Sequence, residues 1–150
     1  MRSIDFPESR YRHCYGVGKR MYEYAKNKLH WDERHCDEMF ILGNLHDIGY
    51  EIDPDAFGHD IILAAILKEN GYKYSNEIRY HSKLQEKYMS EELRLLYFAD
   101  ATVDGSGRFC TLDERLEDLK RRHGETSEVY IESVKIAEKV REWGFDDAIE

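Results

Sequence analysis

Residues 40–50 of the chain read FILGNLHDIGY. An apolar run there ends in the adjacent pair His46 and Asp47, and Gly49 then interrupts the pattern. Apolar side chains bury readily, but an imidazole and a carboxylate beside them are costly to bury unless each has a partner. A metal ion would satisfy both groups at once. Because other His and Asp residues have similar placements on both sides of this stretch, we expect them to converge on this pair.

Chain length and charge narrow the classes of protein that the sequence fits. A chain of 150 residues suits one domain with a real core, and 35% charged residues with only two prolines are typical of a helical protein. The formal charge of −9 argues against a broad surface for nucleic acid or an anionic membrane, so neither is expected as a partner. A small phosphorylated substrate is still compatible, because a bound divalent metal reverses the field locally.

The cysteines indicate a reducing compartment. Cys14, Cys36 and Cys110 are odd in number and far apart, without a Cys-x-x-Cys pair. This usage differs from that of a disulfide scaffold or a zinc finger. The sequence has no apolar run of signal-peptide type and no window long enough to cross a bilayer. We therefore expect a cytoplasmic protein.

Apolar residues recur mostly at steps of three and four, which is the helical period. No alternating strand pattern of useful length competes with it, and no repeat or linker divides the chain. The sequence therefore predicts an all-α, single-domain helical bundle of about six to seven helices. The predicted helices cover approximately residues 7–29, 32–47, 58–70, 75–84, 90–103, 111–124 and 127–143.

Several residues mark where these helices begin and where they come close to one another. Asp32 and Ser90 are suitable N-cap residues, and Thr111 with Glu114 has the pattern of a capping box. Gly43 lies on the face of its helix that carries the apolar residues. Its small size would let another helix approach closely there.

Six polar residues lie on helix faces that lean toward the core. Each one alone has a simpler explanation, as a hydrogen-bonded core residue or a solvated one. Together, one per helix apart from the adjacent pair, they indicate a site for a divalent ion that prefers nitrogen and oxygen ligands. No cysteine belongs to the set, which argues against a structural zinc site. The candidate metal ligands are His13, His46, Asp47, His59, His81 and Asp100.

This ordered set resembles the HD superfamily of metal-dependent phosphohydrolases, which is named for the His-Asp doublet. The match extends to the surrounding residues, with NLHDIG around the doublet, RYH at the late histidine and LYFAD at the last aspartate. The resemblance implies one HD-type domain across residues 1–150. Its core would span about 8–108, and a C-terminal helical extension would follow at 109–150.

The resemblance also implies roles for the six residues. The four ligands of the metal site that the superfamily shares would be His13, His46, Asp47 and Asp100. His59 and His81 would correspond to the additional histidines of its two-metal branches, in which Asp47 would bridge both ions. One such branch is similar to bacterial diadenosine tetraphosphate hydrolases, and the spacing here is closest to that group. Its nucleotide-contacting residues are not recognisable in this chain, so its substrate is not transferred.

The implied activity is hydrolysis of a phosphoester or phosphoanhydride bond by water that the metal activates, with His46 and Asp47 as the catalytic centre. The substrate would be a small phosphorylated metabolite, with a nucleotide as the favoured class. The cofactor would be one or two divalent transition-metal ions, and iron, manganese, nickel, cobalt and zinc all stay open. Lys83 and Arg108 are candidates for binding substrate phosphate, with solvated side chains as an equal alternative. Residues 114–122 alternate in charge, which predicts an exposed helix face.

Two other interpretations stay open for the sequence. The first is a non-catalytic sensor module of the same fold that binds a metal or a nucleotide, although the complete ligand set favours the enzyme. The second is a helical interaction protein without metal, which would leave Asp47 and Asp100 unexplained. The oligomeric state is also open, including a homo-oligomer, and the last two helices could cover the pocket or form a partner surface.

Overall fold

The computed structural model describes residues 8–48 and 59–149, with only the backbone described for residues 59 and 60. These residues contain seven α-helices and no strand, so the predicted all-α fold is confirmed. The helices are α1 (Glu8–Asn27), α2 (Glu33–Leu45), α3 (His59–Glu69), α4 (Ser75–Tyr80), α5 (Glu91–Ala101), α6 (Leu112–His123) and α7 (Glu128–Glu142). Among these helices, none has both the length and the apolar character needed to cross a membrane.

The predicted helix starts are confirmed at three places. The Asp32 and Ser90 side chains each accept a backbone N–H of the following helix, at 2.8 and 3.0 Å. The Thr111 hydroxyl accepts the Glu114 N–H at 3.1 Å, and the Glu114 carboxylate accepts the Thr111 N–H at 3.0 Å. These bonds fix where α2, α5 and α6 begin, and therefore which side chains face the interior.

Helix α5 lies at the centre of the fold, in contact with α1, α2, α4 and α7. Its residues are buried almost continuously from Leu93 to Ala99, with the exception of Arg94. A helix that is apolar on nearly all sides is stable only when neighbouring helices cover it. Asp100 follows at the end of this helix, where its side chain is partly exposed.

Helices α1 and α2 pack backbone to backbone. A Cβ atom at Gly43 would stand 2.4 Å from the Gly18 Cα atom, so a larger residue does not fit there unless a helix moves. The close approach expected at Gly43 is confirmed. It also brings His13 of α1 beside His46 at the end of α2, with ring centroids 5.6 Å apart.

The fourth helix ends earlier than the sequence suggested. It was expected to reach residue 84, but α4 stops at Tyr80, and His81 is its C-cap residue. The Tyr97 hydroxyl lies 2.6 Å from the carbonyl oxygens of both Tyr80 and Lys83. These contacts hold residues 80–83 in a turn. In a longer helix the same carbonyl oxygens would point along the helix axis and could not both meet the Tyr97 hydroxyl.

The chain after α5 is anchored to the first helix. The Arg20 guanidinium lies between the rings of Phe98 and Phe109, 5.0 and 4.9 Å from their centroids, and donates to the Asp147 carbonyl oxygen at 3.4 Å. The Asp147 carboxylate in turn accepts the Leu112 N–H at 2.7 Å. These contacts hold the start of α6 and the C-terminal residues near α1. The division of the chain into a core and an extension stays a prediction.

Candidate metal centre

Three helices bring four of the candidate ligands together. His13 comes from the second turn of α1, His46 caps the end of α2 with Asp47 directly after it, and Asp100 lies in the last turn of α5. Each residue offers one ligand atom, and the four atoms all lie within 4.8 Å of one another. We call these four residues the metal floor.

Asp100 lies between the two histidines of the metal floor. Its Oδ1 atom is 2.7 Å from His13 Nε2 and 3.3 Å from His46 Nε2. Asp47 approaches the same nitrogen of the buried ring, with its Oδ2 atom 3.1 Å from His46 Nε2. The Nε2 atoms of both imidazoles therefore face carboxylate oxygens in a common space.

Backbone carbonyls fix the orientation of both imidazoles. His13 Nδ1 lies 3.1 Å from the Asp104 carbonyl oxygen, and His46 Nδ1 lies 2.6 Å from that of Gly43. A carbonyl oxygen only accepts, so each Nδ1 carries a proton and donates it. In the neutral rings the lone pair is then on Nε2, the atom that faces the carboxylates. A metal-binding histidine needs this arrangement, with an acceptor holding its other nitrogen.

The electrostatics of the metal floor favour a cation. Burial by itself would lower the pKa of His46, but the carboxylates of Asp47 and Asp100 raise it well above its ordinary value. Burial would raise the pKa of Asp100, but His46 and His13 together lower it. Without a metal ion, the raised pKa of His46 favours a proton on its Nε2 atom, between the carboxylate oxygens. A divalent ion fits this donor set, because imidazole nitrogens and carboxylate oxygens are common ligands of transition metals.

His81 lies beside the metal floor, next to Asp47. Its Nε2 atom is 3.2 Å from Asp47 Oδ1, and its ring centroid is 5.3 Å from that of His46. Its Nδ1 atom donates to the Ile78 carbonyl oxygen at 2.5 Å. Asp47 thus presents one oxygen to His46 and the other to His81. The side chain of the sixth candidate, His59, lies outside the described residues.

Three residues of the metal floor, His13, Asp47 and Asp100, line a cleft of about 870 Å³, which is within the usual size of a small-molecule site. Helices α6 and α7 form the opposite side, and we call their cleft-lining side chains the helical wall. Lys83 lines this cleft. Arg108 is exposed and is not among the described residues that line it, and its backbone N–H donates to the Asp104 carboxylate at 3.0 Å.

Sequence reasoning missed three contributors to this site. Asp104 acts through its backbone, which no side-chain pattern reveals, and Tyr97 holds the turn after α4. Arg115 belongs to the charged run that was expected to be exposed, but its side chain is only 15% exposed and lines the cleft, so that prediction is wrong for this residue. Arg115 and Arg122 flank the buried Leu119 at helical steps of four and three, which was the available signal.

The metal floor lies within a segment that the chain shares with known proteins. The family model for the HD domain matches residues 10–103. That range includes the whole metal floor and His81, and it ends before α6, so the helical wall lies outside it. Comparison with curated proteins and with solved structures gives no match.

Proposed function

Because the chain belongs to the HD domain family, we propose that it is a metal-dependent phosphohydrolase acting on a small phosphorylated metabolite. The bond cleaved would be a phosphoester or a phosphoanhydride. The observation that carries the proposal is the metal floor, whose four ligand atoms lie within 4.8 Å of one another. Its two imidazoles are already held with Nε2 toward the carboxylates.

The proposed ligands of the first ion are His13, His46, Asp47 and Asp100. A second ion would be held by His81 and His59, with Asp47 shared between the two positions. A bound divalent ion would compensate charge on the phosphoryl oxygens and make water acidic enough to attack near neutral pH. Iron, manganese, nickel, cobalt and zinc all suit these nitrogen and oxygen donors.

The proposed reaction is a simple displacement at phosphorus. The oxygen of one water molecule forms a new bond to phosphorus while the bond from phosphorus to the leaving oxygen breaks. The leaving oxygen keeps that electron pair and takes up a proton, and the water gives up a proton, so no oxidant or reductant is needed. Asp47 borders the cleft and accepts hydrogen bonds, so it is suited to orient the attacking water. His46 is fully buried, and its part is to hold the ligand position.

A nucleotide is the favoured substrate class. The cleft is large enough for one, and the Tyr80 ring lines it next to His81, where a base could stack. Lys83 also lines the cleft and is a candidate partner for substrate phosphate, whereas the role of Arg108 stays a prediction. Likeness to the diadenosine tetraphosphate hydrolase branch stays a hypothesis, supported by the sequence spacing of His59 and His81.

We also propose a cytoplasmic location. The three cysteines are free and buried, which suits a reducing compartment. The net charge of −9 argues against nucleic acid as a partner.

Metal content and hydrolysis together test the proposed function. We expect His46→Ala and Asp47→Ala to lose both bound metal and hydrolysis, because each removes a ligand atom from the metal floor. The measurements are elemental analysis of the purified chain and phosphate release from a panel of nucleotides and dinucleoside polyphosphates with added manganese or iron. His35→Ala is the matched control, since it removes an imidazole from α2 outside the site.

The outcomes separate the alternatives. Two metal equivalents with hydrolysis support the dinuclear enzyme, and one equivalent supports a mononuclear form. Bound metal without hydrolysis of any substrate in the panel would favour the sensor module. Full turnover by a folded, metal-depleted Asp47→Ala chain would overturn the proposal.

A further inference from the structure

We propose that Arg115 and Arg122 form a second anion-binding subsite in the cleft, across from the metal floor. This inference rests on the proposed function and narrows its substrate. The substrate would carry a second phosphate group, as a nucleoside polyphosphate does, in addition to the phosphoryl group at the metal. The first group would be bound by the metal floor and the second by the two arginines of the helical wall.

Both arginines face the cleft from the same side of α6. They are seven residues apart, which places them on one face of a helix. A Cβ atom at Gly105 would stand 3.5 Å from Arg122 Nη1, so this guanidinium reaches the loop that follows α5. The residue before Gly105 is Asp104, whose carbonyl oxygen accepts the His13 N–H. Arg122 is therefore close to the edge of the metal floor.

One carboxylate positions the arginines without neutralising them. Asp118 Oδ2 lies 3.7 Å from Arg115 Nη1 and 3.4 Å from Arg122 Nη1, and its Oδ1 atom accepts from Arg121 at 2.8 Å. A single carboxylate thus serves three guanidinium groups, and the excess positive charge lies at the cleft. The contacts of Arg115 and Arg122 with Asp118 are long, at 3.7 and 3.4 Å, so both guanidinium groups stay available to a stronger acceptor.

The Arg115 guanidinium also has unused donor capacity. Its Nη1 atom is buried and has no hydrogen-bond acceptor within the part of the chain that the structure describes. A buried charged donor without a hydrogen bond is unfavourable, and a phosphate at this guanidinium would supply strong acceptor oxygens. The guanidinium fork matches the geometry of phosphate oxygens better than an ammonium group does.

The charge around the cleft is opposite to that of the whole chain. Among the described residues that line it, six arginines and lysines face four acidic residues, although the chain carries a net charge of −9. Two of the four acids, Asp47 and Asp100, belong to the metal floor, where a bound ion would offset them. The cations are Arg10, Arg79, Lys83, Lys87, Arg115 and Arg122. A solvated helix face does not explain why positive charge concentrates here.

A calorimetric titration of the full chain tests the subsite without relying on turnover. The chain, purified with its metal and freed of excess ions, is titrated with sodium tripolyphosphate and, separately, with orthophosphate. We expect Arg115→Gln and Arg122→Gln each to weaken tripolyphosphate binding about tenfold, and to weaken orthophosphate binding less. Arg115→Lys keeps the charge but loses the fork, so its effect should be intermediate.

Arg121→Gln is the matched control, because Arg121 pairs with the same carboxylate but does not line the cleft. The same titrations on Asp47→Ala separate this inference from the proposed function. If adding Arg115→Gln to the Asp47→Ala chain weakens tripolyphosphate binding further, the subsite exists independently of the metal chemistry. The inference is overturned if the Arg115→Gln, Arg122→Gln double variant, folded by circular dichroism, binds tripolyphosphate as wild type does. It is also overturned if Arg121→Gln weakens binding equally.

Discussion

The metal floor and the helical wall face each other across one cleft but are built differently. In the floor, both imidazoles are buried, and each is fixed through Nδ1 by a backbone carbonyl. The helices beneath it touch backbone to backbone at Gly18 and Gly43. The wall lies on helices with many exposed positions, and its two arginines, Arg115 and Arg122, are held by long side-chain pairs with Asp118. We infer that the floor is the rigid side of the cleft and that the wall is the side more able to adjust.

The largest effect should come from separating the two helices under the floor. We expect Gly43→Ala to destabilise the chain by roughly 2–3 kcal/mol, because the new methyl would meet backbone atoms that no rotamer change can move. Bound metal should fall as well, since His13 and His46 lie on opposite sides of that contact. Chemical denaturation and elemental analysis measure the two effects.

Gly105→Ala is the control for Gly43→Ala, because Gly105 lies in the loop between α5 and α6, where space is available. Its added methyl would lie 3.5 Å from a flexible arginine tip, which is ordinary contact, so the stability should change little. If Gly43→Ala proved as harmless as Gly105→Ala, the floor would not be as rigid as its packing indicates.

An intermediate effect should follow from loosening the turn that carries His81. Burial raises the pKa of Tyr97 to about 12, so its hydroxyl stays protonated and has one proton to donate to either of the two carbonyl oxygens of that turn. We expect Tyr97→Phe to lower the free energy of unfolding by about 1 kcal/mol. It should also lower the occupancy of the second metal ion more than that of the first, because His81 is a proposed ligand of the second ion. Denaturation and elemental analysis at limiting metal test this.

Tyr74→Phe is the matched control for Tyr97→Phe. Tyr74 is buried to a similar extent and donates to Glu38 at 2.5 Å, away from His81. It should cost at least as much stability, because the acceptor is a charged carboxylate, and should leave the metal content unchanged. Equal loss of metal in both variants would contradict a specific role for Tyr97.

The smallest loss of stability should come from removing one hydrogen bond that attaches α7 to the segment after His81. The Glu132 carboxylate of α7 accepts the Leu84 N–H at 2.7 Å and links the wall to the segment after His81. We expect Glu132→Ala to lower stability by about 1 kcal/mol or less, and Glu132→Gln to lose only part of that, because the amide oxygen still accepts. Thermal unfolding of both variants measures the difference. A loss as large as that of Gly43→Ala would remove the distinction between wall and floor.

Much of the fold could be predicted from local sequence. The capping residues Asp32, Ser90 and Thr111 act on the next few residues only, so their effect does not depend on the rest of the fold. Gly43 was informative for a similar reason, since its position on an apolar helix face already implied a close neighbour. The end of α4 was not predictable in this way, because it depends on Tyr97, which lies far along the chain.

The candidate site also has parts that local sequence predicts and parts that depend on how distant residues pack. The metal floor could be anticipated because each member is a polar side chain on a core-leaning helix face, although the ligand roles stay a prediction. Arg115 could not, because the same alternating charges describe a solvated helix until α6 is placed against the cleft. Asp104 contributes a backbone oxygen, which every residue possesses. The roles of His59, Lys83 and Arg108 stay predictions.

The hydrogen bond from His46 to the Gly43 carbonyl has a consequence for how an ion would enter the proposed metal site. The ring is aimed by its own helix, and that helix is fixed by the glycine contact with α1. We therefore expect an ion to bind and leave this site without rearrangement of the main chain around His46. Loading and stripping should be reversible exchanges at a standing site, governed by ion supply and water exchange, with the fold acting as a permanent template.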